Sequence, residues 1–465
     1  MVFSSLTYLL LFMPCVLLGY RLMPKKARMP FLLAASLLFY GWGSPRWLLL
    51  LAWCVLVSWG GTLLMTRGEK NRRVFLILII ILDLLPLFWF KYAGFFRDTI
   101  RDLTGWDGFA AADSLLEQCF GRSPGIKTPV LPAGISFFTF QAISYVIDVW
   151  RKDSRPQRSP VIFGVYLSLF PQLVAGPIVR YIDLEKQLIE HPRPTWAQMR
   201  HGIRRFSVGL AKKVLLADAL GRFWGQMNAD LSQAGALGAW MGLLAFSFQI
   251  YFDFSGYSDM AIGLGEALGF VFPENFSRPY RAESLTGFWR RWHISLTTWF
   301  TEYVYIPLGG NRCSPWRRDL NVFFVWALTG LWHGAGWHFV LWGLYFAVLL
   351  ILEKHLLHDR PFSNKGAPWV RRFITFVIVM IGWGLFSGFG APLFSALFGF
   401  AGFASSRAAL TCLAFVPLLL LCAVISFSPV LPRIQEWRFT APILFLLCLA
   451  ALVSQGYAPF VYFQF

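Results

Sequence analysis

Charge is what this chain has least of. Only 14% of its 465 residues are Asp, Glu, Lys or Arg, against roughly 25% in soluble globular domains. A water-soluble molecule of this length would have too little polar surface, which excludes a cytoplasmic globular enzyme and a disordered chain. Cysteine is sparse as well: seven, with no Cys-x-x-Cys pair. An odd, scattered set excludes a secreted disulfide scaffold and argues against a zinc or other metal site. Cys15, Cys54, Cys412, Cys422 and Cys448 fall inside apolar segments and read as small core residues, while Cys119 and Cys313 fall in loops. There is no His-Glu-x-x-His, no Walker loop and no Gly-x-Ser-x-Gly. Residues 263–269 miss the dinucleotide-binding spacing by one residue and lie in an apolar helix. No linker, low-complexity tract or internal repeat divides the chain, so 1–465 reads as a single integral-membrane domain.

Apolar residues are abundant, at 57%, including 47 Phe and 21 Trp. That suits a lipid-facing surface with aromatic belts. A hydrocarbon core takes about 20 residues of helix. Candidate spans are 3–20, 30–43, 46–66, 74–92, 132–150, 161–178, 206–222, 236–258, 320–331 with 336–352, 371–389, 407–427 and 440–455. The first of these has no basic stretch before it and reads as a membrane helix, not a cleaved signal. No ten-residue alternation repeats, so a β-barrel is not expected. The expected fold is all-α and polytopic, with about eleven transmembrane helices plus re-entrant and interfacial pieces.

The net charge is +18. Basic residues sit in short loops and form no tail or RNA-binding module, so membrane topology explains them and nucleic acid is not an expected partner. Arg21, Lys25, Lys26 and Arg28 follow the first span; Arg67, Lys70, Arg72 and Arg73 follow the third; Arg151, Lys152, Arg155 and Arg158 follow the fifth. Those loops are expected in the cytoplasm, with the N-terminus outside. The connection 93–131, with Asp102, Asp107, Asp113 and Glu117, is then exterior. The next basic stretch, 180–213, would fall on the wrong side if 161–178 crossed fully. A re-entrant hairpin resolves the conflict, and the Pro and Gly of 170–177 (Phe-Pro-Gln-Leu-Val-Ala-Gly-Pro) supply the break. Irregular backbone at that depth survives only where protein or a cavity shelters it.

Three stretches place polar residues among apolar ones. Asp253 and Asp259 lie among aromatics in 249–260. Such groups mark a cavity or pathway, or else an interfacial helix end bonded to backbone. Residues 275–312 mix Trp, Arg and Tyr as an interfacial helix would, but that does not account for His293. In 329–338 (Thr-Gly-Leu-Trp-His-Gly-Ala-Gly-Trp-His), Gly334 and Gly336 leave room for another backbone or a thin substrate beside His333. A lone membrane histidine often only packs or bonds between helices. It also has the right ordinary pKa for a general base acting on a hydroxyl.

Taken together, the chain resembles the membrane-bound O-acyltransferase family, and within it the bacterial branch of the alginate O-acetyltransferase membrane subunit. The resemblance is carried by 131–141 (Leu-Pro-Ala-Gly-Ile-Ser-Phe-Phe-Thr-Phe-Gln), 170–178, 209–214 (Gly-Leu-Ala-Lys-Lys-Val), 251–259, 273–276 (Pro-Glu-Asn-Phe), Trp292-His293, the 330–334 block and the tail 461–465, so it spans about 130–465. It implies a ring of tilted helices around a thinned membrane region. It also implies His333 as the catalytic histidine and His293 as the second active-site histidine. Two departures stand out: Thr301-Glu302 replaces the Arg-Asp that often precedes Tyr-x-Tyr-Ile-Pro-Leu-Gly-Gly, and His338 stands where Thr is common. Glu302 keeps the negative charge.

The resemblance further implies a cytoplasmic thioester donor, acetyl-CoA or a related thioester, with no bound cofactor. The acetyl group would pass to a periplasmic acetyltransferase of the SGNH-hydrolase type and on to a polysaccharide, from a bacterial inner membrane. A thioester carbonyl becomes an oxyanion in transfer and needs donors near His333. The candidates are His293, Asn311, Tyr303 and Tyr305, with Gly334, Asp253 and Gly176 along the donor path. Donor phosphates need cations at the cytoplasmic mouth, for which Arg290, Arg291, Arg312, Lys212 and Lys213 are candidates; the competing role is anchorage to anionic membrane lipid. Two other functions compete: D-alanyl transfer from a carrier protein to teichoic acid, and a transport module with no chemistry of its own.

Overall fold

The structure, a computed structural model, describes residues 1–106, 131–357, 367–428 and 439–455. Every regular element among them is helical. In chain order the helices are α1 (Tyr8–Leu22), α2 (Lys25–Gly41), α3 (Trp47–Met65), α4 (Arg72–Thr104), α5 (Ile135–Arg151), α6 (Pro160–Ser168), α7 (Phe170–Leu173), α8 (Tyr181–Glu190), α9 (Trp196–Ala211), α10 (Asp218–Ala229), α11 (Leu231–Ala267), α12 (Leu285–Trp289), α13 (Ile294–Phe300), α14 (Pro315–His333), α15 (Trp337–Leu357), α16 (Pro368–Phe386), α17 (Gly390–Leu397), α18 (Ser406–Phe427) and α19 (Thr440–Gln455).

Six described helices are long and apolar enough to cross a bilayer: α3, α4, α11, α15, α16 and α18; α1 and α19 are apolar but shorter. The count of about eleven is therefore not reached by length and composition alone. The other expected spans are short, interrupted or mixed in polarity. The first twelve residues of the expected exterior connection 93–131 are instead the end of α4, which runs on through a π-helical turn at Phe88–Tyr92. Asp107, Asp113, Glu117, Cys119, His358 and the tail motif 461–465 lie outside the described residues. Cys15 is exposed, against expectation; Cys54, Cys412, Cys422 and Cys448 are buried.

The centre is α11, lined by buried residues from Gly242 to Gly265. It packs on α9 along a seam of paired glycines. A Cβ on Gly202 would come within 2.3 Å of the Gly263 carbonyl oxygen, and one on Gly209 within 2.5 Å of that of Gly256. In lipid there is little hydrophobic drive between helices, so such close backbone approach supplies the packing.

The chain turns back on itself over 161–178, as the expected hairpin requires. Gln157 Nε2 donates to Tyr181 Oη at 2.9 Å, and Ser154 Oγ to Glu185 Oε2 at 3.1 Å, so the chain entering α6 and the chain leaving the turn are neighbours. Between them Tyr166 Oη bonds the Gln141 and Val179 carbonyls at 3.1 and 3.2 Å, which satisfies polar groups at the buried bend. The basic loops also meet on one face. Arg28 reaches the His191 carbonyl at 2.7 Å, Arg72 those of Val149 and Trp150 at 3.0 Å, Lys152 pairs with Glu69 at 3.0 Å, and Arg151 bonds the Glu302 carbonyl at 3.1 Å.

Candidate active site

His333 is the last residue of α14. That helix starts at Ser314, whose side chain accepts from Arg317 N, followed by Pro315, and it stops where Gly334 turns extended (φ −167°, ψ 157°). α14 and α15 form a hairpin in backbone contact: a Cβ on Gly330 would meet the Phe339 carbonyl oxygen at 2.3 Å, and one on Gly343 that of Trp326 at 2.3 Å. The His333 imidazole is held among the rings of Trp332, Trp342 and Phe386, at centroid distances of 4.9, 5.0 and 5.4 Å. Gly334 does not open a path beside it. A Cβ there would lie 2.0 Å from the Phe339 ring, and at Gly336 2.7 Å from the His338 ring. These glycines admit aromatic side chains of their own hairpin.

His293 comes from a different element. It precedes α13 in the left-handed region (φ 45°, ψ 53°), which few non-glycine residues adopt. Observed strain of this kind collects at functional sites. Its partner is Asn275, 18 residues earlier: His293 Nδ1 lies 3.2 Å from Asn275 Oδ1. The same oxygen accepts from Ser295 N at 3.3 Å and Ser295 Oγ at 2.9 Å, while Asn275 Nδ2 donates to Ser258 Oγ at 3.1 Å. A backbone N–H only donates, so the Asn275 atom facing Ser295 N is the carbonyl oxygen. His293 Nδ1 must then carry a hydrogen, and in the neutral ring Nε2 is a bare acceptor. Among the described residues Nε2 has no hydrogen-bond partner although the side chain is buried.

Both histidines line one cavity of about 1000 Å³. Its wall on α14 is a single stripe (Arg318, Asp319, Val322, Val325, Trp326, Thr329 and His333) spaced three and four residues apart, as one helix face requires. From Asp319 to His333 that stripe is ~21 Å long at 1.5 Å per residue. The far end opens among Tyr305, Asn311, Arg318, Glu353 and Lys354. It lies near Glu302, which Arg151 ties to the basic-loop face. There Glu353 accepts from Leu285 N and Thr286 N at 2.7 and 3.0 Å, capping α12. Asp319 takes His355 Nε2 at 2.6 Å.

The other expected site residues divide. Tyr305, Asn311 and Arg290 line this cavity, and Tyr305 Oη bonds Asn311 Oδ1 at 2.8 Å. Tyr303 is buried against Asp148, with its hydroxyl 2.8 and 2.9 Å from the two carboxylate oxygens, and does not line the cavity. Asp253 is neither a pathway group nor a helix-end cap. It faces Lys213 at 2.8 Å, and Lys213 also holds Asp218 at 2.6 Å, so this cation is taken up inside the fold. Asp259 holds Lys212 at 2.6 Å and Arg205 at 2.9 Å. Lys212 lines a second cavity of about 760 Å³ on the other side of Asn275. Arg291 and Arg312 are exposed and line neither cavity. Gly176 is packed on its own turn, where a Cβ would lie 2.6 Å from Gln172 Cα. Sequence reasoning missed Arg318 and Lys354 at the mouth and Asn275 behind His293. The three-four stripe of α14 was a readable signal for Arg318.

Two buried histidines line one long cavity between the helices, and the class of protein follows from comparison. A sequence profile of the membrane-bound O-acyltransferase family matches residues 133–398, and the chain belongs to that family. It is an O-acyltransferase and a multi-pass membrane protein. It is 40% identical over 439 residues to the probable alginate O-acetylase AlgI of Pseudomonas aeruginosa, covering 92% of this chain and 81% of that protein. It is 32% identical over 420 residues to the peptidoglycan O-acetyltransferase of Helicobacter pylori, covering 83% and 77%. With the teichoic acid D-alanyltransferase of Bacillus subtilis it shares 27% identity over 274 residues, covering 55% and 68%.

Proposed function

We propose that the protein carries an acetyl group from a cytoplasmic thioester, acetyl-CoA, through a bacterial inner membrane for O-acetylation of an extracytoplasmic polysaccharide such as alginate. A periplasmic SGNH-type acetyltransferase is its proposed partner and completes the transfer. The observation that carries the reading is the cavity running from the basic-loop face to both histidines. The basic loops mark the cytoplasmic side, so the long arm of a thioester enters at Arg290, Arg318 and Lys354 and delivers its carbonyl near His333. His333 takes the proton of the acceptor hydroxyl. The oxygen bonds to the carbonyl carbon, the carbon–sulfur bond breaks, and the thiolate leaves with a proton as free thiol. His293, fixed by Asn275, lines the same space.

The test uses purified protein in nanodiscs with labelled acetyl-CoA, alongside cells scored for polymer acetylation. His333→Ala should lower transfer about 10²- to 10⁴-fold at an unchanged membrane level. Unchanged acetyl content in that variant would remove the base assignment. Consumption of a carrier-protein thioester in place of acetyl-CoA would favour D-alanyl-type transfer.

A further inference from the structure

The end of the His333 helix is held by a segment outside the family match. The last carbonyls of any helix lack intrahelical partners. Here three consecutive ones are taken up by two adjacent residues of α4. Tyr92 Oη donates to the Leu331 oxygen at 3.0 Å; Lys91 Nζ donates to those of Trp332 and His333 at 2.5 and 3.3 Å. Lys91 also reaches Ser136 Oγ at 3.3 Å, and its ammonium sits 5.8 Å from the Trp332 ring centroid. Both residues belong to the π-helical turn Phe88–Tyr92. Such turns gather at functional sites, and the described residues hold three others, at Tyr8–Phe12, Lys212–Ala217 and Thr301–Tyr305. A lysine in so apolar a helix is costly, and among the described residues it has no carboxylate partner. Its amine nitrogen lies at the negative end of the α14 dipole.

We propose that Lys91 and Tyr92 form a clamp in trans on the C-terminus of α14, and that they are positioning residues for His333. The clamp fixes where the helix stops and so where the imidazole stands against the cavity. Residue 91 precedes the matched range 133–398, and the clamp joins α4 to the site. The catalytic consequence rests on the reading of His333 as the reacting base.

The experiment has two readouts on full-length protein in nanodiscs: hydrogen exchange by mass spectrometry, and transfer from labelled acetyl-CoA. Lys91→Met should raise exchange in 331–338 and leave α5 protected. It should lower kcat about 10- to 100-fold, the scale of a misplaced reacting group, with KM for the donor within about twofold. Tyr92→Phe removes one hydroxyl, keeps the fold, and should show the same pattern at a smaller size, about 2- to 5-fold. Unchanged exchange in 331–338 for both variants would overturn the clamp whatever the activity. Exchange rising equally through α4 and α5, or a raised KM at unchanged kcat, would overturn the positioning role. Full transfer by His333→Ala would remove the base reading, and the catalytic part of this proposal with it, while the exchange result still decides the clamp.

Discussion

At the residue scale, His293 poses the question of which ring nitrogen carries a hydrogen. That is decided by Ser295 N, which forces the oxygen of Asn275 toward the ring. Asn275→Ala removes the acceptor that holds this tautomer, and kcat should fall about 10- to 100-fold, with the folded amount judged by size-exclusion profile. A full rate in a well-folded Asn275→Ala protein would mean that the ring needs no such partner. The burial of His333 and His293 was legible from their neighbours, since Trp-His-Gly and Trp-His within apolar sequence are hard to explain as surface; a chemical role for them came only from the family resemblance. Asn275 stood inside a quoted motif but was not singled out, because its partner is 18 residues away and meets it only through the turn before α13. Lys213 illustrates the opposite error. A lysine beside a membrane segment reads as a surface charge, yet it is buried between Asp218 and Asp253, an arrangement no spacing rule indicates.

Elements in this molecule are shaped by what glycine permits. The α9–α11 seam and the α14–α15 hairpin both depend on missing Cβ atoms opposite carbonyl oxygens. The re-entrant bend has the same character. Gly176→Leu would push a side chain into the Gln172 backbone and the Pro171 carbonyl, at 2.6 and 3.0 Å from the Cβ alone. Overpacking of this kind costs about 1–3 kcal/mol or more, so the variant should melt earlier in detergent and accumulate less. Gly60→Ala, in α3 where a Cβ meets nothing within 4 Å, should leave the melting temperature unchanged or slightly raised. Equal melting of the two variants would show that the bend is not tightly packed. The bend itself was legible, because charge on both sides of 161–178 contradicted a full crossing. Its tight packing away from the cavity was not, since proline and glycine report a break and not what fills it.

For the whole molecule, the basic loops define a face. Arg28, Arg72, Arg151 and Lys152 bond to segments far away in sequence, and all of them gather there. In a background with the native cysteines replaced, Cys at the exposed positions Lys26 and Arg155 should resist an impermeant thiol reagent applied to intact cells. Cys at exposed Ser232, at the opposite end of α11 from Ala267, should react. Labelling at Arg155 from outside would invert the orientation and place the cavity mouth on the exterior.

The sequence alone determined the solvent, the helical class, the bend at 170–177 and the presence of two histidines among apolar segments. Each of these follows from local composition: a bilayer rewards apolar helix, and a polar group within it must have a reason. Only the tertiary structure decided which charges face the cavity and which are consumed inside the fold. It also decided that a π turn at 88–92 grips the end of α14. Those outcomes depend on which helices lie side by side, and backbone contact between distant glycines sets that, through distances no linear pattern encodes.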